Sequence, residues 1–165
     1  TPGPGTLPYF FALQFGKTAG LSLSHVSYRG SAAAVQDLIA GQIPLVVTST
    51  SDFAEPHKAG LIRALATSQP QPFIPGIPTF PEAGFDMRGN GWYGMYAPAR
   101  TPPALLDQLS QTLANGVNAP ETKARLIGMG FQPTGTTRAR LAEIQRADSE
   151  FWKPIILASG FRPQQ

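Results

Sequence analysis

The sequence of 165 residues predicts an α/β fold with a mainly parallel sheet. Three observations predict it. Short apolar runs alternate with helical patterns of about ten residues through the first half, the texture of strand–helix–strand units. Glycine falls repeatedly where those helices must begin or end. Apolar residues make up 42% of the chain and charged residues only 14%, which suits a packed core and not a disordered or coiled-coil chain.

A glycine-rich turn, Thr1 to Thr6, opens a first helix expected over residues 8–18, with Tyr9, Phe10, Leu13 and Lys17 at helical spacing. Ser24-His25-Val26-Ser27-Tyr28 alternates like a short strand. Gly30-Ser31 caps a helix over 32–40 that Gly41 ends. Residues 43–48 read as a buried strand, 53–59 as a short helix ended by Gly60, and 61–66 as another strand. Eight of the 17 prolines then fall between Pro70 and Pro103, which interrupts the regular pattern and marks a boundary. Beyond it, residues 91–97 read as an aromatic-rich strand, and Thr101 supplies the N-cap hydroxyl of a helix reaching residue 115. Pro120 starts a helix to about residue 129. Thr136-Thr137 caps a last helix, with Leu141, Ile144, Phe151 and Trp152 on one face and Pro154 expected to kink or end it.

Composition closes off several functions. The absence of cysteine excludes disulfide scaffolds, zinc–thiolate sites and cysteine nucleophiles. The net charge of +3 is mild, and the densest basic group, Arg138, Arg140 and Arg146, is spaced along a helix instead of clustered, so no nucleic-acid partner is expected. No apolar run is long enough for a membrane helix. The start has no initiator Met and no signal-peptide pattern, so the chain is expected to be a processed or partial form. Neither His25 nor His57 lies in a metal-binding spacing, and nucleophile-elbow, P-loop and dinucleotide fingerprints are missing. No catalytic residue, metal or cofactor is expected.

Two polar turns carry the strongest chemical signal: Thr1–Thr6 before the first helix and Tyr28-Arg29-Gly30-Ser31 before the second. The start of a helix has unpaired backbone N–H groups and partial positive charge, so each turn can hold a carboxylate. Glycine admits close approach, and Thr6 or Ser31 adds a hydroxyl. Two such turns at one sheet edge would form an anion cradle; equally, they are ordinary capped connections.

The sequence resembles the substrate-binding proteins of tripartite tricarboxylate transporters, the Bug or TctC-like family, in their C-terminal part. The matching segments are TPGPGT, VSYRGSAAAVQDLIAGQIPL, KAGLIRALAT, IPTFPEAGF, GWYGMYAPARTP, ETKARLIGMGFQPTGTT and FWKPIILASGFRP, in order over nearly the whole chain. The resemblance implies a periplasmic, type II-like two-lobed binding protein that holds a small organic carboxylate in its cleft and presents it to the membrane components of a transporter. It implies that residues 1–85 form the second, ligand-binding lobe. Residues 86–165 would be a crossover strand and helices returning to a first lobe whose N-terminal portion is absent. By the same match, Gly3, Gly5 and Thr6 belong to one binding loop and Gly30, Ser31 and Ala32 to the other. Tyr28 and Trp92 would wall the cleft, although as aromatics they fit a core as well.

This chain departs from the family pattern at three places. It is about half the family's usual length. Tyr9 stands where a histidine is usual, and Pro44 and Thr48 stand where the strand motif has aspartates. A threonine at 48 cannot pair with a ligand ammonium, so a non-amino carboxylate is the expected ligand. Apolar helix faces left by the missing lobe are expected to drive self-association. The alternative function is a solitary α/β interaction or regulatory domain that reuses the lobe without transport.

Overall fold

A computed structural model describes residues 1–162; Pro163, the last residue of the final motif, lies outside them. The described chain contains six helices, α1 Leu7–Ala19, α2 Ser31–Ile39, α3 Thr50–Lys58, α4 Pro103–Asn118, α5 Pro120–Gly128 and α6 Arg138–Ala158. It divides into two compact units, one of Thr1–Asn90 with Trp152–Gln165 and one of Gly91–Phe151. The end of α6, from Trp152, thus belongs to the first unit.

The first unit is organised by α1. Thr6 caps it from extended backbone, its hydroxyl accepting from the Tyr9 N–H at 3.4 Å. Pro8 occupies the first turn, and Gly20 ends the helix in the left-handed conformation at φ 66°. Phe10 and Phe11 are both buried and form a core cluster with Met87 and Trp152. Phe11 meets the Trp152 ring edge-on at 5.3 Å and stacks on Phe80 at 6.0 Å. Val47, Phe85, Ile155 and Ile156 pack around this cluster. α2 packs against α3, and Ala34, Val35 and Ala54 are their buried residues.

The expected parallel sheet is not formed among the described residues. Residues 24–28, 43–48, 61–66 and 91–97 carry no strand ladder. Alternation fixes which side chains a strand would bury, but a ladder needs regular hydrogen bonds to a neighbouring backbone. Parallel pairing survives at two points. Thr67 and Thr79 form an isolated parallel bridge, with Thr67 N donating to Pro78 O and Phe80 N to Thr67 O, both at 2.9 Å. The Thr1 ammonium donates to Val26 O and Tyr28 N to Thr1 O, each at 3.2 Å, the same parallel pattern straddling Ser27. Next to the first bridge, Glu82 accepts from both the N–H and the hydroxyl of Thr79 at 2.8 Å. Those hydrogen bonds hold its carboxyl below the ordinary range.

Two helix boundaries also differ from expectation. α6 continues through Pro154 to Ala158. Losing one backbone hydrogen bond there is offset by burial of Trp152 and packing of Ile155 and Ile156 on the cluster. Pro102, not Thr101, is the N-cap of α4, and it offers no side-chain bond. Thr137 caps α6 as expected, accepting from Arg140 N at 3.2 Å.

The second unit is thinly packed. Neither α4 nor α5 has a buried residue, although the two helices touch. The segment 91–97 lies on α6: Trp92 Nε1 donates to Asp148 Oδ2, and Tyr96 Oη donates to Gln145 Oε1 at 3.3 Å. A Cβ on Gly94 would sit 3.3 Å from Leu141 Cδ1, so glycine allows that close approach. Tyr93 meets Phe131 edge-on at 5.5 Å yet stays 82% exposed. The chain exposes 11309 Å², whereas two separate compact units of this total mass expose about 9,500 Å².

Truncating the cluster tests this distribution of packing. Phe11→Ala is expected to cost about 3–5 kcal/mol in denaturant melts. Leu109→Ala, at a position 44% exposed, is expected to cost under about 1 kcal/mol.

Candidate functional site

The two glycine turns are neighbours in space. The backbone pairing that straddles Ser27 lays the first turn along the segment entering the second. Gly3 is buried there: a Cβ on it would lie 3.8 Å from Tyr28 O and 4.0 Å from Ser27 Oγ. Thr6 closes the turn on itself, its hydroxyl donating to Gly3 O at 2.7 Å while accepting from Tyr9 N. Gly30 follows Tyr28 and Arg29 as the N-cap of α2, at φ 110° and ψ 165° with no side-chain cap bond. The opening N–H groups of α2, at Ser31 and Ala32, are therefore free of a capping side chain and available to an anion. Gly3 thus lies against the backbone of Tyr28, two residues before Gly30, and Gly5 and Thr6 belong to the same loop as Gly3.

Aromatic residues set the surroundings. Tyr9 packs edge-on against Phe10 at 5.4 Å and His25 at 4.9 Å. His25 Nε2 lies 2.6 Å from Thr1 Oγ1, and burial, followed by the nearby N-terminal ammonium, lowers its pKa. His57 Nδ1 lies 3.4 Å from both Ala64 N and Ile62 O, at the end of α3. Tyr28 does not present its hydroxyl to the turns. The phenol donates to Asp37 Oδ2 on α2 at 2.8 Å, and this bond, then burial and the Asp37 charge, raises its pKa above 10.

Thr48 stands apart from the two turns. Its hydroxyl donates to Asp52 Oδ2 at 2.7 Å in the first turn of α3, and among the described residues no hydrogen bond or ring contact links it to residues 1–6 or 28–32. Asp52, which reads in the sequence only as a turn residue, thereby places a carboxylate beside position 48. Trp92 belongs to the second unit and is bonded to Asp148 there. Sequence reasoning also missed Phe161, whose ring lies on Gly5 and beside Tyr9. Its only sequence signal was the aromatic directly after Ser159-Gly160. Among the described residues, no group of three His, Cys, Asp or Glu could hold a metal ion, and no helix is long and apolar enough to cross a membrane.

The family model described as the tripartite tricarboxylate transporter family receptor matches residues 1–161. The chain belongs to that family. This receptor-family chain is 31% identical over 159 residues to the UPF0065 protein in the clcB-clcD intergenic region of Pseudomonas knackmussii, covering 94% of each. It spans about half the length of other curated relatives that it matches. Among solved structures it resembles R. palustris Rpa4515 with adipate, at TM-score 0.89 and 24% identity, covering 99% of this chain and 56% of that one. It resembles the periplasmic binding protein BugD at TM-score 0.84 and 24% identity, with the same coverage. The fold is thus that of a periplasmic binding protein over the part the receptor chain spans.

The Tyr28–Asp37 bond gives a pH test of the second turn. A phenol whose pKa is raised by folding adds stability that is fully present below about pH 10, its unfolded value, and lost as pH rises through the folded value. Ultraviolet titration is expected to show a tyrosine ionising above the ordinary tyrosine value, and Tyr28→Phe is expected to remove that late phase. A late phase that persists in Tyr28→Phe would mean that it does not come from the Tyr28–Asp37 bond.

Proposed function

We propose that this chain is the carboxylate-holding part of an extracytoplasmic, periplasmic solute-binding component of a tripartite tricarboxylate-type transporter. The observation that carries the reading is the pairing across Ser27, which brings two glycine turns and one uncapped helix start together. Backbone N–H groups and the Ser31 hydroxyl would bind a carboxylate without a charged side chain, the Thr6 hydroxyl proton being given to Gly3 O instead. The adipate named with one structural neighbour supports a small dicarboxylate as ligand. Residues 1–85 would serve as the second lobe and 86–165 would return to the first. Binding would close the lobes and present the loaded state to the transporter's membrane components. No chemical step is involved.

Thr48 favours a non-amino carboxylate. Its neutral hydroxyl is committed to Asp52, which leaves the Asp52 carboxylate already satisfied on one oxygen and less able to draw a ligand ammonium. Contacts from one lobe do not desolvate a ligand fully, so adipate is expected to bind the 165-residue chain weakly, with a Kd of about 1 mM. Amide chemical shifts during titration are expected to move at Gly5, Thr6 and Gly30–Ala33. Tighter binding of aspartate or glutamate than of adipate would overturn the non-amino preference. Shifts elsewhere, with none in the two turns, would overturn the site.

We also propose that the chain associates with a second copy through the exposed face of residues 91–97. Tyr93, Met95 and Tyr96 are 82%, 71% and 67% exposed. Among the described residues, no backbone hydrogen bond is made along this stretch. Covering these side chains in two copies removes on the order of 1,000 Å², the lower bound of a specific interface. Sedimentation is expected to show concentration-dependent association that Tyr93→Ser with Met95→Ser weakens; a strictly monomeric chain at high concentration would refute it. The alternative, a solitary interaction or regulatory domain, is favoured by the P. knackmussii relative matched over 94% of its own length. It takes precedence if no carboxylate perturbs either turn.

A further inference from the structure

We infer that Phe161 is a positioning residue for the first glycine turn: its ring locks Gly5 and so aims the backbone N–H groups of the loop before any ligand arrives. The inference deepens the carboxylate-binding reading and rests on it for its functional consequence. Gly5 has φ 76°, a conformation that suits glycine and strains other residues. A Cβ built on it would overlap Phe161 Cζ and lie 2.9 Å from both Cε atoms, so the ring fills the place a side chain would take.

The ring is itself held from several directions. It meets Phe10 edge-on at 5.8 Å and lies 6.3 Å from the Tyr9 ring, tilted by 58°. Its backbone is turned onto the loop by a small hydrogen-bonded knot at the end of α6. Ser159 Oγ donates to Ile156 O at 2.7 Å and accepts from Phe161 N at 3.1 Å, while Gly160 takes φ 70°. The turn is therefore clamped twice, by the Thr6 hydroxyl on Gly3 O from within and by the Phe161 ring from outside. A loop ordered in advance spends less of its contact energy on ordering when a ligand binds.

Hydrogen exchange and adipate titration of the 165-residue chain test this together. Phe161→Ala is expected to speed exchange at Gly3, Gly5 and Thr6 about tenfold with α2 amides unchanged, and to weaken adipate about threefold to tenfold. Phe161→Leu, which keeps most of the packing, is expected to fall between. Gly5→Ala is expected to speed loop exchange strongly in the original chain and less in the Phe161→Ala background, where only the backbone strain remains. Uniformly faster exchange across the first unit would overturn the inference, because it marks Phe161 as general core. So would additive effects of Gly5→Ala and Phe161→Ala, or an unchanged loop. Local loop exchange that responds as expected, in a chain whose turns no carboxylate perturbs, upholds the clamp and overturns the carboxylate reading instead.

Discussion

Adjacent phenylalanines on one helix hold the first unit together. Phe10 and Phe11 project about 100° apart around α1, so one helix buries side chains toward two sets of partners at once. Phe11 takes Trp152 and Phe80; Phe10 takes Tyr9 and Phe161. The end of α6 is thereby tied to the start of α1, and the loop that enters α1 is carried along with it. Without this pair, the loop closed by Thr6, the turn packed under Gly3 and the segment that carries Phe161 would have nothing in common to pack on.

From that anchor the chemistry follows by geometry and not by charge. The chain carries 13 basic residues against 10 acidic ones, and the site proposed at the two turns draws on backbone N–H groups. What gathers there is backbone polarity: glycines that allow close approach, hydroxyls that close loops, and the unpaired first turn of α2. A site of that kind would recognise an anion through its oxygens and be indifferent to what bears them. Discrimination must then come from residues farther from the carboxylate, and the Thr48–Asp52 pair is one place where this chain has its own arrangement.

What was legible in the sequence was what local chemistry decides. The six helices could be placed because residues such as Thr6, Gly41, Gly60, Pro120 and Thr137 act within a turn of their own positions. The strands could not, because residues 43–48 or 91–97 become a ladder only beside another backbone, and alternation says nothing of whether that backbone is there. Pro154 misled for a related reason: its penalty is local, while the burial of Trp152 that outweighs it is tertiary. At the site, the residue types of the turns are readable in the sequence, while the approach of the first turn to the segment entering the second rests on the long-range pairing across Ser27. The Tyr28 phenol turning to Asp37, the Thr48 hydroxyl turning to Asp52 and the Phe161 ring on Gly5 are side-chain destinations, which spacing along a chain does not encode.

The chain's two tryptophans divide between its two units. Trp152 is buried among aromatic rings at 8% exposure. Trp92 is half-buried, its indole N–H held by a carboxylate. The first should emit at shorter wavelength than the second, so one fluorescence spectrum carries separate signals from the two units without any attached dye. Loosening of the aromatic cluster would drain the blue edge of that spectrum, and release of residues 91–97 from α6 would move its red edge.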